Sequence, residues 1–334
     1  MGKATAEPAI AGDALVAPDG AHLPLRSWLP EGRPKAVVLG LHGFNDYSRA
    51  FTETGEWFAA RGIGVYAYDQ RGFGRGPHRG LWAGVETLTA DLRIAAAVIK
   101  ARHPDAPLYL LGVSMGGAVV MAALGEEPVI GADGAILAAP AVWGRAHMNP
   151  FQTALLWVSA RTVPWMTLTG RGLKRQASDN VEMLRGLGRD PLVIKETRID
   201  AIKGLVDLMD AAYEAAPQIK GTPVLLLYGQ HDEIVPESPV LKVIQALPQG
   251  EGHRTALYKT GWHMLLRDIE AETVWRDISA WVVNRTAALP SGSDGAARLA
   301  SGAGGAARLI PATGGAPALP PAEAGGREAV TISN

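Results

Sequence analysis

Residues 107–124 read PLYLLGVSMGGAVVMAAL, which predicts a short buried strand, a sharp turn and a helix. The turn contains the pattern G-x-S-x-G with Ser114 at its centre. A serine between a strand and a helix projects its hydroxyl from the backbone, and the flanking glycines let the turn pack closely. The helix N-terminus brings backbone N–H groups to the place where an oxyanion would develop. The stretch favours Ser114 as a nucleophile; the alternative is a glycine-rich turn with an unreactive serine.

Strands and helices alternate along most of the chain. Continuous apolar runs are typical of buried parallel strands, and they predict strands at 36–41, 64–68, 107–111, 135–138, 224–228 and 255–258. A turn signal at 18–20 predicts a hairpin between residues 13–16 and 22–28. Helical spacing predicts helices at 50–61, 85–102, 117–124 and about 270–284. This alternation predicts an α/β fold with a mostly parallel central sheet flanked by helices.

The alternation is interrupted between residues 141 and 217, a segment we call the lid. Helical patterns at 151–161 and 198–216 follow one another there without a convincing strand. We interpret the lid as a helical insertion between two sheet strands, lying over the carboxyl edge of the sheet. Most of its Trp, Met and Leu residues are expected to pack the lid onto the core. Trp143, Leu156 and Trp157 are candidates for lining an apolar substrate channel.

The ends of the chain differ from the core, which we assign to residues 14–140 and 218–286. Residues 1–13 are predicted to be a flexible N-terminus. Residues 287–334 are rich in Gly, Ala and Pro, a composition that buries too little apolar surface to offset the entropy lost on ordering. We therefore predict a disordered tail without a catalytic role.

Composition excludes several classes of function. The chain has 334 residues, of which 47% are hydrophobic and 19% charged, as in a globular protein with a sizeable core. A formal net charge of −1 predicts no nucleic-acid partner, and the lack of cysteine excludes disulfides and thiolate chemistry. No apolar run reaches the length of a stable membrane span. Residues 1–8 lack the apolar core of a signal peptide, which favours a cytoplasmic protein; the alternative is an exported protein whose leader has been removed.

A serine hydroxyl becomes an effective nucleophile when a base takes its proton and an acid orients that base. On folds with the G-x-S-x-G turn, the order along the chain is Ser, then Asp or Glu, then His. Asp232 and His263 each follow a predicted strand, so we expect both at the carboxyl edge of the sheet beside Ser114. Glu233 is the alternative acid and His253 the alternative base.

An oxyanion hole needs two backbone donors. The first is the N–H of Met115, which follows the nucleophile. The second comes from residues 42–46, His-Gly-Phe-Asn-Asp, which we call the oxyanion loop; the N–H of Phe44 is the candidate. His42 precedes the serine in the chain and is expected to support this loop. Chemistry of this kind needs no metal and no organic cofactor.

These motifs resemble the monoacylglycerol lipase and lysophospholipase branch of the α/β-hydrolase superfamily, which includes the serine aminopeptidase S33 type. The resemblance covers roughly residues 14–285 and is carried by 42–44, 68–74, 112–117, 190–192, Asp232 and 261–263. It implies a carboxylic-ester hydrolase acting on monoacyl lipids or other acyl esters. The roles it implies are Ser114 as nucleophile, Asp232 as acid, His263 as base, and Phe44 and Met115 as oxyanion donors. Val113 departs from the His or Glu usual at that position.

Two other functions remain as alternatives. A serine aminopeptidase or amidase on the same fold would be favoured by an acidic cluster in the lid able to bind a substrate amine. The acidic residues of the lid are instead scattered among basic ones. A non-catalytic ligand-binding protein would need no base behind Ser114, so the apparently complete triad argues against it. Epoxide hydrolases and haloalkane dehalogenases of this fold carry a carboxylate where Ser114 stands.

Overall fold

The central sheet is formed by the apolar runs of the sequence. A computed structural model describes residues 4–170, 175–248, 250 and 252–295; the rest of the predicted tail, 296–334, lies outside these residues. The strands are β1 (Ala9–Ala11), β2 (Ala14–Val16), β3 (His22–Trp28), β4 (Ala36–Leu41), β5 (Ile63–Tyr68), β6 (Leu108–Val113), β7 (Ala132–Ala138), β8 (Thr167–Thr169), β9 (Glu196–Arg198), β10 (Val224–Gly229) and β11 (Arg254–Tyr258). The α-helices are α1 (Thr52–Ala59), α2 (Val85–Arg102), α3 (Met115–Glu126), α4 (Pro150–Thr162), α5 (Val181–Arg189), α6 (Ile199–Ala215), α7 (Glu237–Ala246) and α8 (Ala271–Val283).

Within the described residues, the main sheet has nine strands in the order β1-β2-β3-β5-β4-β6-β7-β10-β11. The strands from β5 to β11 in this order pair in parallel, and β1, β2 and β3 pair antiparallel. Every residue of β4, β5 and β10 is buried, because helices cover both faces of the sheet. The mostly parallel α/β fold predicted from the sequence is confirmed.

The topology brings three chain segments to one edge of the sheet. Since β6, β10 and β11 run in the same direction, their carboxyl ends lie at the same edge. Ser114 directly follows β6, Asp232 lies shortly after β10, and His263 lies shortly after β11. The three predicted triad residues therefore belong to neighbouring loops although they are far apart in sequence.

The lid leaves the sheet after β7 and returns at β10. It contains α4 and α6, close to the predicted helices, together with α5 and a short antiparallel pair formed by β8 and β9. The sequence did not indicate this pair, because three-residue strands are too short to show an alternating pattern. The end of α6 lies directly on α3: a Cβ placed on Gly125 would be 2.4 Å from the Cβ of Ala215. The last helix of the lid is therefore part of the body of the protein.

The N-terminal segment is more ordered than predicted. In place of a flexible stretch over residues 1–13, β1 pairs with β2 across a turn in which Gly12 has φ 59°. The N–H of Thr5 also donates to the carbonyl of Pro18 at 2.6 Å. The Gly-Asp turn at 12–13 was the signal for this hairpin. Residues 1–3 lie outside the described part of the chain.

The first residues of the predicted tail are ordered. Residues 287–295, assigned from composition to a disordered tail, pack on the core in the structure. Leu289 is 4% exposed, and the hydroxyl of Ser291 donates to the buried carboxylate of Asp277 at 2.5 Å. The carbonyl of Ser293 accepts from the N–H of Leu257 at 2.9 Å. Composition missed this because one leucine and main-chain bonds are enough to hold a short segment on a sheet edge.

In the part of the chain that the structure describes, none of the helices has the length and apolar character needed to cross a bilayer.

Truncation tests the packing of the C-terminal segment. Ending the chain after Arg285 removes Leu289 and leaves the Asp277 carboxylate buried without Ser291. Loss of a buried leucine costs about 2–5 kcal/mol, so we expect the melting temperature to fall by roughly 5–10 °C. Ending it after Gly295 keeps every contact described above and should leave the melting temperature unchanged. Equal melting temperatures for the two shortened proteins, measured by calorimetry, would contradict this packing.

Candidate active site

Ser114 lies in a strained backbone conformation between β6 and α3. Its φ of 52° and ψ of −115° fall outside the regions that residues with side chains normally adopt. The surrounding chain holds it there: its N–H donates to the carbonyl of Ala138 at 2.9 Å, and its carbonyl accepts from Ala118 at 3.1 Å and from Ala141 at 3.0 Å. A strained backbone conformation that several hydrogen bonds hold in place is typical of a functional turn.

The two outer glycines of the motif are required by close backbone contacts. A Cβ on Gly116 would lie 2.1 Å from the carbonyl oxygen of Leu41 in β4, and a Cβ on Gly112 would lie 2.4 Å from the carbonyl oxygen of Gly116. Neither contact leaves room for a side chain. The turn therefore packs closely against the sheet, and Ser114 and Val113 line the cavity above it.

His263 and Asp232 form the pair expected behind the serine. Nδ1–H of His263 donates to Oδ2 of Asp232 at 2.8 Å, and both side chains are almost completely buried. The other carboxylate oxygen accepts from the N–H groups of Ile234 at 2.7 Å and Val235 at 2.9 Å, which fixes its orientation. The bond to Nδ1 leaves Nε2 of the imidazole as the atom that can accept a proton.

Ser114 and His263 line the same cavity. Among the described residues, hydrogen bonds join His263 to Asp232 but not to Ser114. Catalytic hydrogen bonds of this type are often long in a free enzyme and shorten when substrate binds. The structure thus brings the three predicted residues to one site.

The alternative acid and base lie elsewhere. Glu233 points to the lid, where its carboxylate accepts from the N–H of Gln176 at 2.7 Å. His253 immediately precedes β11, whereas His263 lies beyond its carboxyl end. Neither residue lines the cavity that contains Ser114.

His42 supports the oxyanion loop from inside the protein. Its Nδ1 bonds to the carbonyl of Gly43 at 2.8 Å, and its Nε2 accepts from the N–H of Gln70 at 3.0 Å. The Gln70 side chain donates to the carbonyl of His42 at 2.9 Å. Complete burial lowers the pKa of His42, so the ring is neutral at pH 7. Its two hydrogen bonds correspond to the tautomer with the proton on Nδ1. Both ring nitrogens are hydrogen-bonded to backbone groups, and neither is available for catalysis.

The oxyanion loop is also bound to the lid. Asn45, which follows Phe44, has φ 64°, and its carbonyl accepts from the N–H of Ile194 at 3.0 Å. Its side chain donates to the hydroxyl of Thr197 at 2.7 Å. The aromatic ring of Phe44 packs edge-on against Phe73, with 5.6 Å between ring centroids. These contacts fix the backbone on both sides of the candidate donor.

Met115 lies where the other candidate oxyanion donor is expected. It is the first residue of α3, so its N–H has no acceptor within the helix. Gly43 lies close by, since a Cβ placed on it would be 3.4 Å from the Cβ of Ser114. The oxyanion loop and the start of α3 therefore approach Ser114 from two directions.

The cavity over Ser114 has a volume of about 400 Å³ and mostly apolar walls. Trp143, predicted from the sequence, is among the lining residues, as are Leu205 and Met209 of α6. Sequence reasoning missed these two because periodicity shows that α6 is amphipathic but not which surface it covers. Their spacing of four residues, one turn of a helix, was the available signal.

Leu156 and Trp157, which the sequence suggested for a substrate channel, do not line this cavity. Both lie on α4, which has no buried residue. Trp157 is 57% exposed, and the guanidinium of Arg161 stacks over its ring at 4.0 Å. An apolar side chain on a helix indicates a buried face only if another element covers that side of the helix, and the contact of α4 with α6 leaves Trp157 exposed.

A strained serine between a parallel strand and a helix, with its acid and base on the loops after later strands, is the arrangement of an α/β hydrolase. Residues 32–270 match the family model described as serine aminopeptidase, S33. The match spans more than half of the sequence, and the chain belongs to this family.

Similar proteins extend over nearly the same length. The monoglyceride lipase of Mus musculus is 28% identical over 287 residues, covering 83% of this chain and 92% of its own. The monoacylglycerol lipase of Mycolicibacterium smegmatis is 25% identical over 260 residues, covering 77% and 91%. The crystal structure of the Paleococcus ferrophilus monoacylglycerol lipase has a TM-score of 0.63 and 26% identity, covering 79% of this chain and 99% of its own. The resemblance to the α/β hydrolases is confirmed.

Exchange of the acid tests the geometry of the pair. Asp232→Asn keeps the shape of the side chain but removes the acceptor that holds Nδ1–H of His263. We expect labelling of Ser114 by a fluorophosphonate to slow by up to about 10⁴-fold, as in the serine-protease triad. Glu233→Gln is the matched control and should label at close to the wild-type rate. A larger effect of Glu233→Gln than of Asp232→Asn would show that the acid is misassigned.

Proposed function

We propose that this protein is a serine carboxylic-ester hydrolase that cleaves monoacyl lipids through an acyl-enzyme on Ser114. The observation that carries the proposal is the placement of Ser114 and His263 in one apolar cavity, with the imidazole of His263 hydrogen-bonded to Asp232 behind it. An apolar cavity with few polar groups suits an acyl chain. The names of the similar proteins from Mus musculus and Mycolicibacterium smegmatis, monoglyceride and monoacylglycerol lipase, support the same substrate class.

The mechanism is acyl transfer to water in two steps. Nε2 of His263 takes the hydroxyl proton of Ser114 as the oxygen attacks the ester carbonyl, and Asp232 stabilises the imidazolium that forms. His263 then gives this proton to the leaving alcohol, and the acyl group remains on Ser114. A water molecule, deprotonated by His263, attacks the acyl-enzyme; the bond from the acyl group to Ser114 then breaks, His263 returns the proton to the serine oxygen, and the fatty acid is released. General-base action of this kind contributes about 10²–10⁴ in rate.

The negative charge of each tetrahedral intermediate lies on the former carbonyl oxygen. We assign its hydrogen bonds to the N–H groups of Phe44, in the oxyanion loop, and of Met115, at the start of α3. One such donor contributes about 10²–10³ in rate, because it is already oriented when the charge forms. The assignment is supported by the contacts that immobilise Asn45 beside Phe44.

A specific contact disfavours the aminopeptidase alternative. Among the described residues that line the cavity over Ser114, the acidic one is Asp46. Its Oδ2 accepts from the guanidinium of Arg267 at 2.5 Å, and both side chains are largely buried. A carboxylate neutralised by an arginine is not available to bind the free amine of an aminopeptidase substrate.

Replacement of the nucleophile tests the proposed reaction. Ser114→Ala should lose both fluorophosphonate labelling and the hydrolysis of p-nitrophenyl and monoacylglycerol esters, because it removes the hydroxyl that His263 is proposed to deprotonate. Release of fatty acid and labelling are measured on the same samples. Turnover that persists in Ser114→Ala would overturn the proposed mechanism, and faster hydrolysis of aminoacyl anilides than of esters by wild-type protein would favour the peptidase.

The dependence on acyl-chain length tests the role of the cavity. Each buried methylene contributes up to about 0.8 kcal/mol, so kcat/KM should rise by up to about fourfold per methylene until the cavity is filled. Leu205→Ala removes a wall of the cavity and should weaken this dependence while acetate esters are hydrolysed nearly as before. Leu155→Ala is the matched control, since Leu155 is 55% exposed on α4 and outside the cavity. A wild-type rate that falls steadily from acetate to octanoate would contradict a lipid substrate.

A further inference from the structure

The residues on both sides of His263 are held by hydrogen bonds from their backbone N–H groups. The N–H of Trp262 donates to Oδ2 of Asp268 at 2.8 Å, and the N–H of Met264 donates to the carbonyl of Ala177 at 3.0 Å. The first acceptor belongs to the same loop as the histidine, and the second belongs to the lid. The direction of the imidazole thus depends on two partners that are not members of the triad.

A tight turn after the histidine brings Asp268 back to this position. The N–H groups of Arg267 and Asp268 both donate to the carbonyl of Met264, at 2.7 Å and 3.0 Å. The carboxyl group of Asp268 is thereby placed next to the backbone of Trp262, and the residue is only 7% exposed. Burial raises the pKa of Asp268, although its hydrogen bonds act in the opposite direction.

The second oxygen of this carboxyl group connects it to the lid. The hydroxyl of Ser178 donates to Oδ1 of Asp268 at 2.6 Å, and Ser178 is completely buried. The same hydroxyl accepts from the N–H of Asn180 at 3.1 Å, and the Asn180 side chain donates to the carbonyl of Arg267 at 3.0 Å. Residues 177–180 of the lid therefore lie bound along the loop that carries the base.

Asp268 has no step of its own in the proposed mechanism. Its carboxyl oxygens are taken by a backbone N–H and by a serine hydroxyl, and it does not line the cavity over Ser114. A buried carboxyl group is costly unless its hydrogen bonds are satisfied, and here both oxygens have partners. Through these two partners Asp268 connects the backbone next to His263 to the lid.

We infer that Asp268 and Ser178 are a positioning pair that holds His263 in line with Ser114 and makes the catalytic rate depend on the attachment of the lid. The inference rests on the proposed function, since it assumes that His263 is the base. Proton transfer depends steeply on distance and direction, and a displacement of about 1 Å can cost about 10²-fold in rate.

The experiment measures kcat per titrated active site, with active sites counted by a fluorophosphonate at the end point of labelling. Asp268→Ala removes both hydrogen bonds, and we expect kcat per site to fall roughly 10- to 100-fold with a smaller change in KM. Ser178→Ala removes the bond to the lid and should give a smaller fall in the same direction. Asp268→Asn can accept from Trp262 and donate to Ser178, so it should restore most of the rate lost in Asp268→Ala.

Another serine–aspartate pair, with a buried carboxylate and a partly buried serine, offers a control. Ser291 bonds to Asp277 in the same way as Ser178 bonds to Asp268, but on the C-terminal segment and α8. Ser291→Ala should lower the melting temperature and leave kcat per titrated site unchanged.

The outcomes separate the positioning role from a structural one and from the proposed function. If Asp268→Ala and Ser178→Ala lower only the melting temperature and keep kcat per site, the pair is structural and the inference is wrong. If Asp268→Ala does not fold, Ser178→Ala alone decides between these results. Turnover in Ser114→Ala would instead overturn the proposed function, whatever the behaviour of Asp268.

Discussion

The contact between the Ser114 turn and β4 is the constraint on which the site depends. Gly116 approaches the carbonyl of Leu41 so closely that no side chain fits, and this approach holds Ser114 in a backbone conformation that costs about 1–3 kcal/mol. The cost is tolerable because the turn is bound on one side to β7 and on the other to α3. Once this turn is placed, the parallel direction of β10 and β11 brings the acid and the base to the same edge. The chemistry of the site therefore follows from the order and direction of the strands.

The lid takes part in the same arrangement, because it is attached to each of the loops that carry the site. Asn45 of the oxyanion loop binds Thr197, Glu233 binds Gln176 beside the proposed acid, and Ala177 accepts a bond next to the proposed base. A segment that only covered a cavity would need none of these polar contacts. In this protein the lid is hydrogen-bonded to all three loops of the candidate site.

Sequence reasoning could identify what depends on local pattern. The strand at 36–41 and the helix at 85–102 were predicted with the bounds found for β4 and α2, because an apolar run and an amphipathic spacing are properties of the local chain. Chain order and strand ends predicted one site for Ser114, Asp232 and His263, and the structure places all three at the same edge of the sheet. The neighbours of α4 could not be predicted, because amphipathic spacing does not show whether another element covers a helix. For this reason Leu156 and Trp157 were assigned to a cavity that they do not line. The pairing of β8 with β9 and the role of Asp268 were also out of reach, since both depend on contacts between distant residues.

The C-terminal segment has a consequence beyond its contribution to stability. In the described structure β11 is the last strand of the parallel sheet, and residues 293–295 run along its outer side with a main-chain bond from Gly295 to Thr255 and a bridge between Asp294 and Ala256. An uncovered outer strand presents unpaired N–H and C=O groups to which another chain can add. Residues with almost no apolar side chains thus cover the edge through backbone bonds and an ion pair between Asp294 and Arg254. A short stretch of low-complexity sequence here occupies the backbone groups to which another strand could otherwise add.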